Sequence, residues 1–391
     1  MSVERIVEFR RRLQRDAAES VVPFEHGTAF LSPSIPQVYD HNYLSIEEAE
    51  TGAGELAAES AEALAGHFHR RVIVESATPG LQADFAALGY VLSTHLVLEH
   101  RREPDRLVDT AAIRETGLEA LVPTRTEATL REQWGDEEIA AQLNEAKRHI
   151  AAAVPTRFFA AFVGDQVAGW CELRVRDGVA QIEDVEVLVE YRGFGLGRAL
   201  VQHALTEGQR VADVVFLEAL ADDWPRELYA KLGFVGAGRR DFYTRLPHPF
   251  TRIRLRTPRL ELRAATVAEA RRLFEVAKAD NLDAMGSIPD VTDVSESHVR
   301  FVAFLDGQPI GVQALDVSSD RVATRSWLGR THRALRLETE MRAAVLTYAF
   351  ERLGATVARS SAIDGSEQSP DVELRRERFV SPVPVEVVGA R

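Results

Sequence analysis

The chain has 391 residues and one cysteine, and its 60 acidic residues against 47 Lys and Arg give a formal net charge of −13. This length predicts two to three domains, and a single cysteine excludes a disulfide framework and a multi-thiolate metal site. The acidic balance argues against nucleic acid as the main partner, because binding to a phosphate backbone needs a basic surplus. The first residues are charged and no apolar run reaches the ~18 residues of a membrane span, so we expect a cytoplasmic protein without membrane contact.

Two charged, proline-bearing stretches, 101–109 and 246–258, predict linkers, since proline removes a backbone donor and disfavours helix before it. They divide the chain into predicted modules of residues 1–105, 106–250 and 251–391.

The first module resembles the middle one when the two are compared at a shift of 143 positions. Gly52 and Gly54 then lie over Gly195 and Gly197, and Glu75 lies over Glu218. One further residue of shift brings FAALGYV onto YAKLGFV. We interpret the first module as a shortened structural repeat of the second.

The middle module predicts alternating strands and helices. Residues 157–175 indicate two strands around a Gly-Asp turn, and helical spacing of apolar residues indicates a helix from Gly197 to Val211. A short helix is punctuated by Pro225 in its first turn and by Gly233 at its end. Further strands are predicted at 181–189, at 214–220 and after Gly233. This order is typical of the α/β class.

The stretch YRGFGLGR, from Tyr191 to Arg198, lies between a predicted strand and a predicted helix. Glycine amides and the positive end of a helix make a seat for a pyrophosphate, and Arg192 could add a charged contact at its rim. The stretch has no Lys of a Walker motif, and Arg198 stands where a dinucleotide fingerprint needs its third glycine. A glycine turn without a ligand is the alternative.

The remaining pattern, R-x-x-G-x-G at 192–197, resembles the acetyl-CoA signature of the GNAT superfamily of N-acyltransferases. Val185-Glu186-Val187 before it and L-Y-x-x-x-G-F at 228–234 extend the resemblance over residues 111–246. The resemblance implies a GNAT fold, with a mixed, mostly antiparallel sheet flanked by helices, in two to three tandem modules. It also implies transfer of an acetyl group from acetyl-CoA to a primary amine of a small molecule or peptide, without a metal. The alternative is a non-catalytic acyl-CoA-binding or regulatory pseudoenzyme.

The resemblance also assigns site residues. Backbone groups of Val185 and Val187 would pair with the pantetheine arm, and Tyr229 would protonate the departing thiolate, unless it is only a core aromatic. Asp222 stands where the family often has Asn, near the pantetheine. The pyrophosphate seat would comprise Arg192, Gly193, Phe194, Gly195, Leu196, Gly197 and Arg198.

A general base would be a carboxylate on the strand before the motif: Glu183, Asp184 or Glu186. Strand alternation separates Glu183 from the other two, but a bulge at this point would remove that distinction. We favour Glu183 slightly over Asp184, and a purely structural carboxylate is the alternative for each.

Both flanking modules lack parts of the motif. The first has Ala49 where Arg192 stands and Phe85 where Tyr229 stands, so we expect it to have lost catalysis and to wall the acceptor cleft. The third resembles ribosomal-protein N-terminal acetyltransferases, but Arg336 and Glu338 replace its two key glycines. It is therefore expected to be degenerate.

Overall fold

The computed structural model describes residues 2–47, 49, 51–76, 78, 80–132, 134–223, 225–279, 292, 297–362 and 372–389. It divides into two compact units, Met1–Leu64 with His69–Arg245, and Ala65–Phe68 with Leu246–Arg391. The three-module division stays a prediction. Among the described residues, none of the helices combines the length and the hydropathy that crossing a bilayer requires.

The first unit is an α/β structure. Its described helices are α1 Ser2–Ala17, α2 Ala53–Ala63, α3 Leu81–Ala87, α4 Leu118–Arg131, α5 Glu137–Ala153, α6 Leu196–Gln209 and α7 Pro225–Lys231, with 3₁₀ turns at Tyr39–His41 and Val189–Tyr191. Its strands are β1 Ser20–Pro23, β2 Thr28–Leu31, β3 Tyr43–Ile46, β4 Arg70–Val74, β5 Val91–His100, β6 Ile113–Thr116, β7 Thr156–Val163, β8 Gln166–Arg176, β9 Val179–Val187, β10 Val214–Leu220 and β11 Phe234–Arg245.

These strands form one sheet in the order β1-β2-β3-β4-β11-β5-β10-β9-β8-β7-β6, which passes through both of the first two predicted modules. Strand β5 lies between β10 and β11, and β11 lies between β4 and β5. The two strands pair antiparallel from Phe234 opposite His100 to Thr244 opposite Val91. The two halves of the sheet thus exchange their last strands, and each half completes the other.

Helices cover both faces of this sheet, as the apolar positions of the sequence require. The inward stripe of α6, which includes Leu200 and Ala204, packs on β8 to β10. On the opposite face α1 buries Ile6 and Phe9, and the Phe9 ring meets Phe216 of β10 edge to face at 5.6 Å. The central strands, and the ends where β9 and β10 separate, are therefore held from two sides.

The second unit has its own helices and sheet. Its described helices are α8 Val267–Ala279 and α9 Leu337–Glu351, with 3₁₀ turns at Pro249–Arg252, Arg330–Leu335 and Arg376–Arg378. Its strands are β12 Arg254–Arg256, β13 Glu261–Arg263, β14 His298–Leu305, β15 Gln308–Ser318, β16 Arg321–Leu328, β17 Val357–Ala362, β18 Val372–Arg375 and β19 Glu386–Val388. They form one sheet in the order β18-β17-β16-β15-β14-β13-β12-β19.

The linker predicted at 246–258 is wrong in its second half. Residues 254–256 form β12, which pairs with both β13 and β19. Ile253 and Leu255 are buried while arginines flank them, an alternation typical of a strand with one buried face. The prolines at 249 and 258 lie outside the strand, so they remove no ladder hydrogen bond.

The strand exchange predicts that residues 106–250 alone do not fold. Such a fragment lacks β5, so β10 loses its antiparallel partner and β11 loses both neighbours. We expect an aggregating fragment without a cooperative thermal transition, measured by circular dichroism. Residues 1–250, which keep the first unit whole, are the control and should melt cooperatively. A soluble, cooperatively melting 106–250 fragment would contradict the exchange.

Candidate functional site

A slot opens between two parallel strands of the first unit. Strands β9 and β10 pair from Val179 opposite Val214 to Ile182 opposite Leu217. Beyond those residues β9 continues to Val187 and β10 to Leu220 without pairing to each other. The edge of β9 that faces β10 is therefore open over residues 183–187, and an extended ligand can pair with its backbone there. This includes the predicted Val185 and Val187.

The glycine motif forms a turn into the amino end of α6, beside this slot. Gly193 has φ +87° and Gly195 has φ +82°, in the left-handed region that favours glycine. A Cβ added at either position would meet no atom within 4 Å, so both face open space. Gly195 is the N-cap of α6, and no side chain caps it. The first amides of the helix are thus left for an anion.

Gly197 serves a different purpose, since its φ is not positive and a Cβ there would lie 3.7 Å from Val187 Cγ2. It lets the first turn of α6 lie close to the end of β9. The seat and the open edge are therefore neighbours.

The side chains of the residues predicted around the seat differ in their contacts and in their exposure. Arg192 donates to the Val187 carbonyl at 2.8 Å and to Glu186 Oε1 at 2.9 Å, so it ties the turn to β9. The buried Arg198 guanidinium pairs with Asp105 at 2.6 Å, which leaves only its main-chain amide for the seat. Phe194 is 78% exposed. Asp222 is exposed in the turn after β10 and forms no hydrogen bond to the motif in the described contacts.

A β-bulge lies where β9 leaves β10. Glu183 is opposite Glu172 of β8, and Glu186 is opposite Trp170, so Asp184 and Val185 together face one residue. Asp184 has φ +55°. The bulge turns Glu183 and Asp184 toward the same side of the sheet, where α4 and α5 lie, as shown by the contacts of Lys147 with both Glu172 and Asp184. Alternation alone would have separated them.

Asp184 is held as a charged, structural group. Its carboxylate pairs with Lys147 at 3.1 Å, accepts from Trp170 Nε1 at 3.0 Å and pairs with Arg125. Although burial opposes ionisation, Lys147 and Arg125 hold the pKa of Asp184 well below its usual range. A carboxylate with so low a pKa is a poor proton acceptor near neutral pH.

Glu183 has a different environment one residue earlier. Its Oε2 accepts a hydrogen bond from Gln181 Nε2 at 2.8 Å, and its side chain is half-buried. Burial raises the pKa of Glu183 to about 7, with Arg174 acting against the shift and the charge of Glu218 adding to it. The two adjacent carboxyls are thus tuned in opposite directions, which is typical of a pair with different tasks.

Tyr229 lies on α7 behind the slot, 8% exposed, with its ring edge-to-face against Phe234. Burial, and then the charge of Glu183, raise the pKa of Tyr229 above its usual value. Its hydroxyl therefore stays protonated at neutral pH. It forms no hydrogen bond with another described residue, so it can donate to a ligand.

The charged side chains around Asp184 were missed by the sequence analysis. Glu172 is fully buried in β8, pairs with Arg174 at 2.6 Å and faces Lys147 at 2.9 Å. The signal was present in WCELRVR, where charged residues alternate with apolar ones inside a predicted strand. Such a strand has one polar-lined face that must be satisfied by partners.

In the copy of these elements at the start of the chain, the slot is closed. Strands β3 and β4 pair through Ile46 opposite Val74, and the amide of Glu75 then donates to the Ile46 carbonyl at 2.8 Å. Gly52, the N-cap of α2, has φ −78° and does not form the left-handed turn of Gly195. The described residues of this copy therefore show neither an open strand edge nor the same seat.

In the second unit the corresponding strands β16 and β17 stay paired from Arg321 to Ser326, and β16 carries no bulge against β15. Arg336 keeps the left-handed N-cap position, with φ +52°, but adds a side chain to it. Glu338 accepts from Ser326 Oγ at 3.0 Å and places a carboxylate in the first turn of α9. The degeneracy of this module stays a prediction.

One group of possible metal ligands is present in the described residues: Glu25, His26 and Glu59, whose ligand atoms lie within 4.8 Å of one another. His26 Nδ1 already lies 2.8 Å from Glu59 Oε1. The group is distant in sequence from the slot and shares none of its residues.

The sequence model of the acetyltransferase (GNAT) family matches residues 119–234, the segment from α4 to β11 that contains the slot and the seat. Solved structures to which this chain is similar include a conserved protein of unknown function from Staphylococcus epidermidis, 17% identical, covering 59% of this chain and 94% of its own at a TM-score of 0.46. A GCN5-related N-acetyltransferase from Kribbella flavida is 17% identical, covering 62% and 95% at a TM-score of 0.43.

A tandem GNAT protein from the clavulanic acid biosynthesis pathway is 19% identical, covering 52% of this chain and 74% of its own at a TM-score of 0.38. The predicted α/β class with large, mostly antiparallel sheets flanked by helices is confirmed by the strand order. The match at 119–234 confirms the resemblance read from the motifs: this segment of the chain is similar to the acetyltransferase (GNAT) family.

Proposed function

We propose that the protein transfers an acetyl group from acetyl-CoA to a primary amine at the slot between β9 and β10. The observation that carries this proposal is the combination of an open strand edge with a left-handed glycine turn, which the described residues of the two other copies do not show. The seat fits a pyrophosphate because Gly193 and Gly195 face open space and the amides of α6 are uncapped. The open edge fits a pantetheine arm because it offers backbone groups at the spacing of a strand.

Two side chains would then move protons in opposite directions. The amine nitrogen attacks the thioester carbonyl carbon, its N–H proton passes to the Glu183 carboxylate, directly or through water, and the C–S bond breaks. Tyr229 gives its hydroxyl proton to the departing sulfur. Exchange with solvent then returns the proton from Glu183 to Tyr229, so the products are an amide and a free thiol.

The test is calorimetry with acetyl-CoA, followed by release of free thiol in the presence of a panel of amines. We expect one binding site per chain, because only one of the three copies has an open slot in the described strands, and thiol release that depends on an amine. Absence of acetyl-CoA binding would overturn the proposal. Binding without thiol release from any amine would favour the non-catalytic alternative.

Replacing Tyr229 by Phe should lower kcat by about 10- to 100-fold. The effect is modest for a lost acid because a thiol with a pKa of about 8.5 departs without full protonation. Phenylalanine keeps the contact with Phe234, so the melting temperature should stay unchanged. Tyr191→Phe, which removes an exposed hydroxyl that bonds only to Gln166, is the matched control. Equal turnover of the Tyr229→Phe and wild-type enzymes across pH would remove Tyr229 from the mechanism.

A further inference from the structure

A loop from the first half of the first unit packs against α5, in the half of the unit that contains the slot. Residues 33–42 follow β2, and Ile35 and Val38 pack against Ala146 of α5. The amide of Gln37 donates to Gln142 Oε1 on the same helix at 2.9 Å. Lys147, which binds Asp184 beside the slot, is the next residue after Ala146. The loop therefore reaches the side of the sheet on which Glu183 lies.

Asp40, near the end of this loop, presents a carboxylate that is fixed yet open. Arg71 pairs with its Oδ1 at 3.0 Å, and Arg71 is itself held at 11% side-chain exposure with its guanidinium 4.9 Å above the Phe242 ring. The Asp40 side chain is 74% exposed, and Oδ2 forms no hydrogen bond with a described residue. Arg71 thus sets the orientation of the carboxylate and leaves one oxygen for a ligand.

The register of the sheet places Glu183 on the side that this loop covers, and we call the groups of Asp40, His41, His95, Glu183 and Glu218 on that side the acceptor region. Leu217 lies opposite Ile182, so the next residues, Glu218 and Glu183, share a face of the sheet, and β5 places His95 beside them, opposite Leu220. Glu218 is already bound by Arg10 at 3.1 Å and Arg240 at 3.0 Å. Arg71, the partner of Asp40, lies above the Phe242 ring on which His95 stacks, and His41, the residue after Asp40, meets His149 of α5. Asp40 therefore lies on the same side of the sheet as these groups.

The two histidines of the acceptor region, His41 and His95, are uncharged at neutral pH. Burial lowers the pKa of His41 to about 4, and burial also lowers the pKa of His95. His41 meets the His149 ring at 5.9 Å and His95 stacks on Phe242 at 4.1 Å. Neither imidazole donates or accepts a hydrogen bond among the described contacts. A cationic ligand of the acceptor region would therefore find neutral hydrogen-bond acceptors, the two imidazoles, beside the open oxygen of Asp40.

We propose that Asp40 binds a protonated amino group of the acceptor, remote from the nitrogen that receives the acetyl group, so that the acceptor is a small aliphatic diamine or polyamine. This inference rests on the proposed acetyl transfer. The reacting amine attacks in its neutral form and passes its N–H proton to Glu183, while the second amine stays charged and pairs with Asp40. A methyl group at the same place gains nothing from Asp40, and a carboxylate there is repelled. The net charge of −13 also favours cationic partners.

The experiment compares three acceptors of equal length, 1,5-diaminopentane, pentylamine and 5-aminopentanoate, by acetyl-CoA-dependent thiol release. We expect the diamine to have a kcat/KM about tenfold above pentylamine, with the aminoalkanoate lowest. In Asp40→Asn, which keeps an oxygen for Arg71, the diamine should fall to within about twofold of pentylamine through a higher KM. Asp84→Asn, at an exposed position of α3, is the matched control and should keep the full difference.

Acetyl-CoA binding, measured by calorimetry on the same proteins, distinguishes failure of the proposed function from failure of the inference about Asp40. An unchanged Kd in Asp40→Asn is expected, because Asp40 is not part of the seat. If wild type does not bind acetyl-CoA, the proposed function fails and the inference with it. If acetyl-CoA binds but the diamine reacts no better than pentylamine, or if Asp40→Asn keeps the preference, only the inference is overturned.

Discussion

Replacing Glu183 by Gln should lower kcat/KM by about 10²- to 10⁴-fold, the range expected for loss of a general base. The glutamine keeps the size of the side chain and can still accept a hydrogen bond from Gln181, so the bulge should be preserved. The loss therefore reports on proton transfer and not on folding. Thiol release under saturating acetyl-CoA, together with a thermal melt, measures both properties.

The pH profile gives the same residue a second test. Glu183 acts as a base only when it is ionised, and burial raises its pKa to about 7. Expressed per concentration of neutral amine, wild-type kcat/KM should therefore fall tenfold per pH unit below about pH 7, and this acid limb should be absent from Glu183→Gln. Glu186→Gln, which changes an exposed carboxylate three residues later that pairs with Arg192, is the control and should keep the limb. An acid limb that persists in Glu183→Gln would assign the base elsewhere.

Replacing Gly195 by Glu should weaken acetyl-CoA binding by about 100-fold or more, which corresponds to roughly 2.7 kcal/mol. The glutamate would project into the open space of the seat and repel a pyrophosphate at the amino end of α6. It would also occupy a left-handed position, with φ +82°, at a cost on the order of 1–2 kcal/mol of stability. Calorimetry on the folded variant separates these two effects.

The matched control for that strain is Gly164→Glu. Gly164 lies in the turn between β7 and β8, has φ +62° and also faces open space. Glutamate there should lower stability by a similar amount and leave acetyl-CoA binding unchanged. Equal binding by both variants would show that the turn at Gly195 is not the pyrophosphate seat.

The local elements around the slot could be predicted because their signals are local. Alternating apolar residues place β7 and β8, and Pro225 and Gly233 bracket α7. Partners between distant strands are not encoded in such patterns. The alternation of apolar and polar residues in Val91–His100 and Phe234–Arg245 does not indicate that each strand lies in the other half of the sheet.

The candidate site was predictable in its backbone and only partly in its side chains. The glycines identify the turn, since few other residues adopt a positive φ. The two carboxylates could not be separated, because the bulge at Asp184 depends on ion pairs with Lys147 and Arg125, which come from two helices far away in sequence. The position of the Arg198 side chain could not be predicted for a similar reason, since its partner is Asp105, in a distant part of the sequence.

The position of β11 has a consequence for synthesis on the ribosome. Strand β4 can pair with β11 only after β11 has been synthesised. More than 160 residues separate the paired residues Val74 and Asp241 in the sequence. Until the last part of the first unit emerges, β4 leaves a hydrogen-bonding edge exposed beside an apolar face. Contacts of such long range form slowly. Chaperones should therefore need to protect the nascent chain until translation has passed Arg245. Pauses before that codon should increase aggregation.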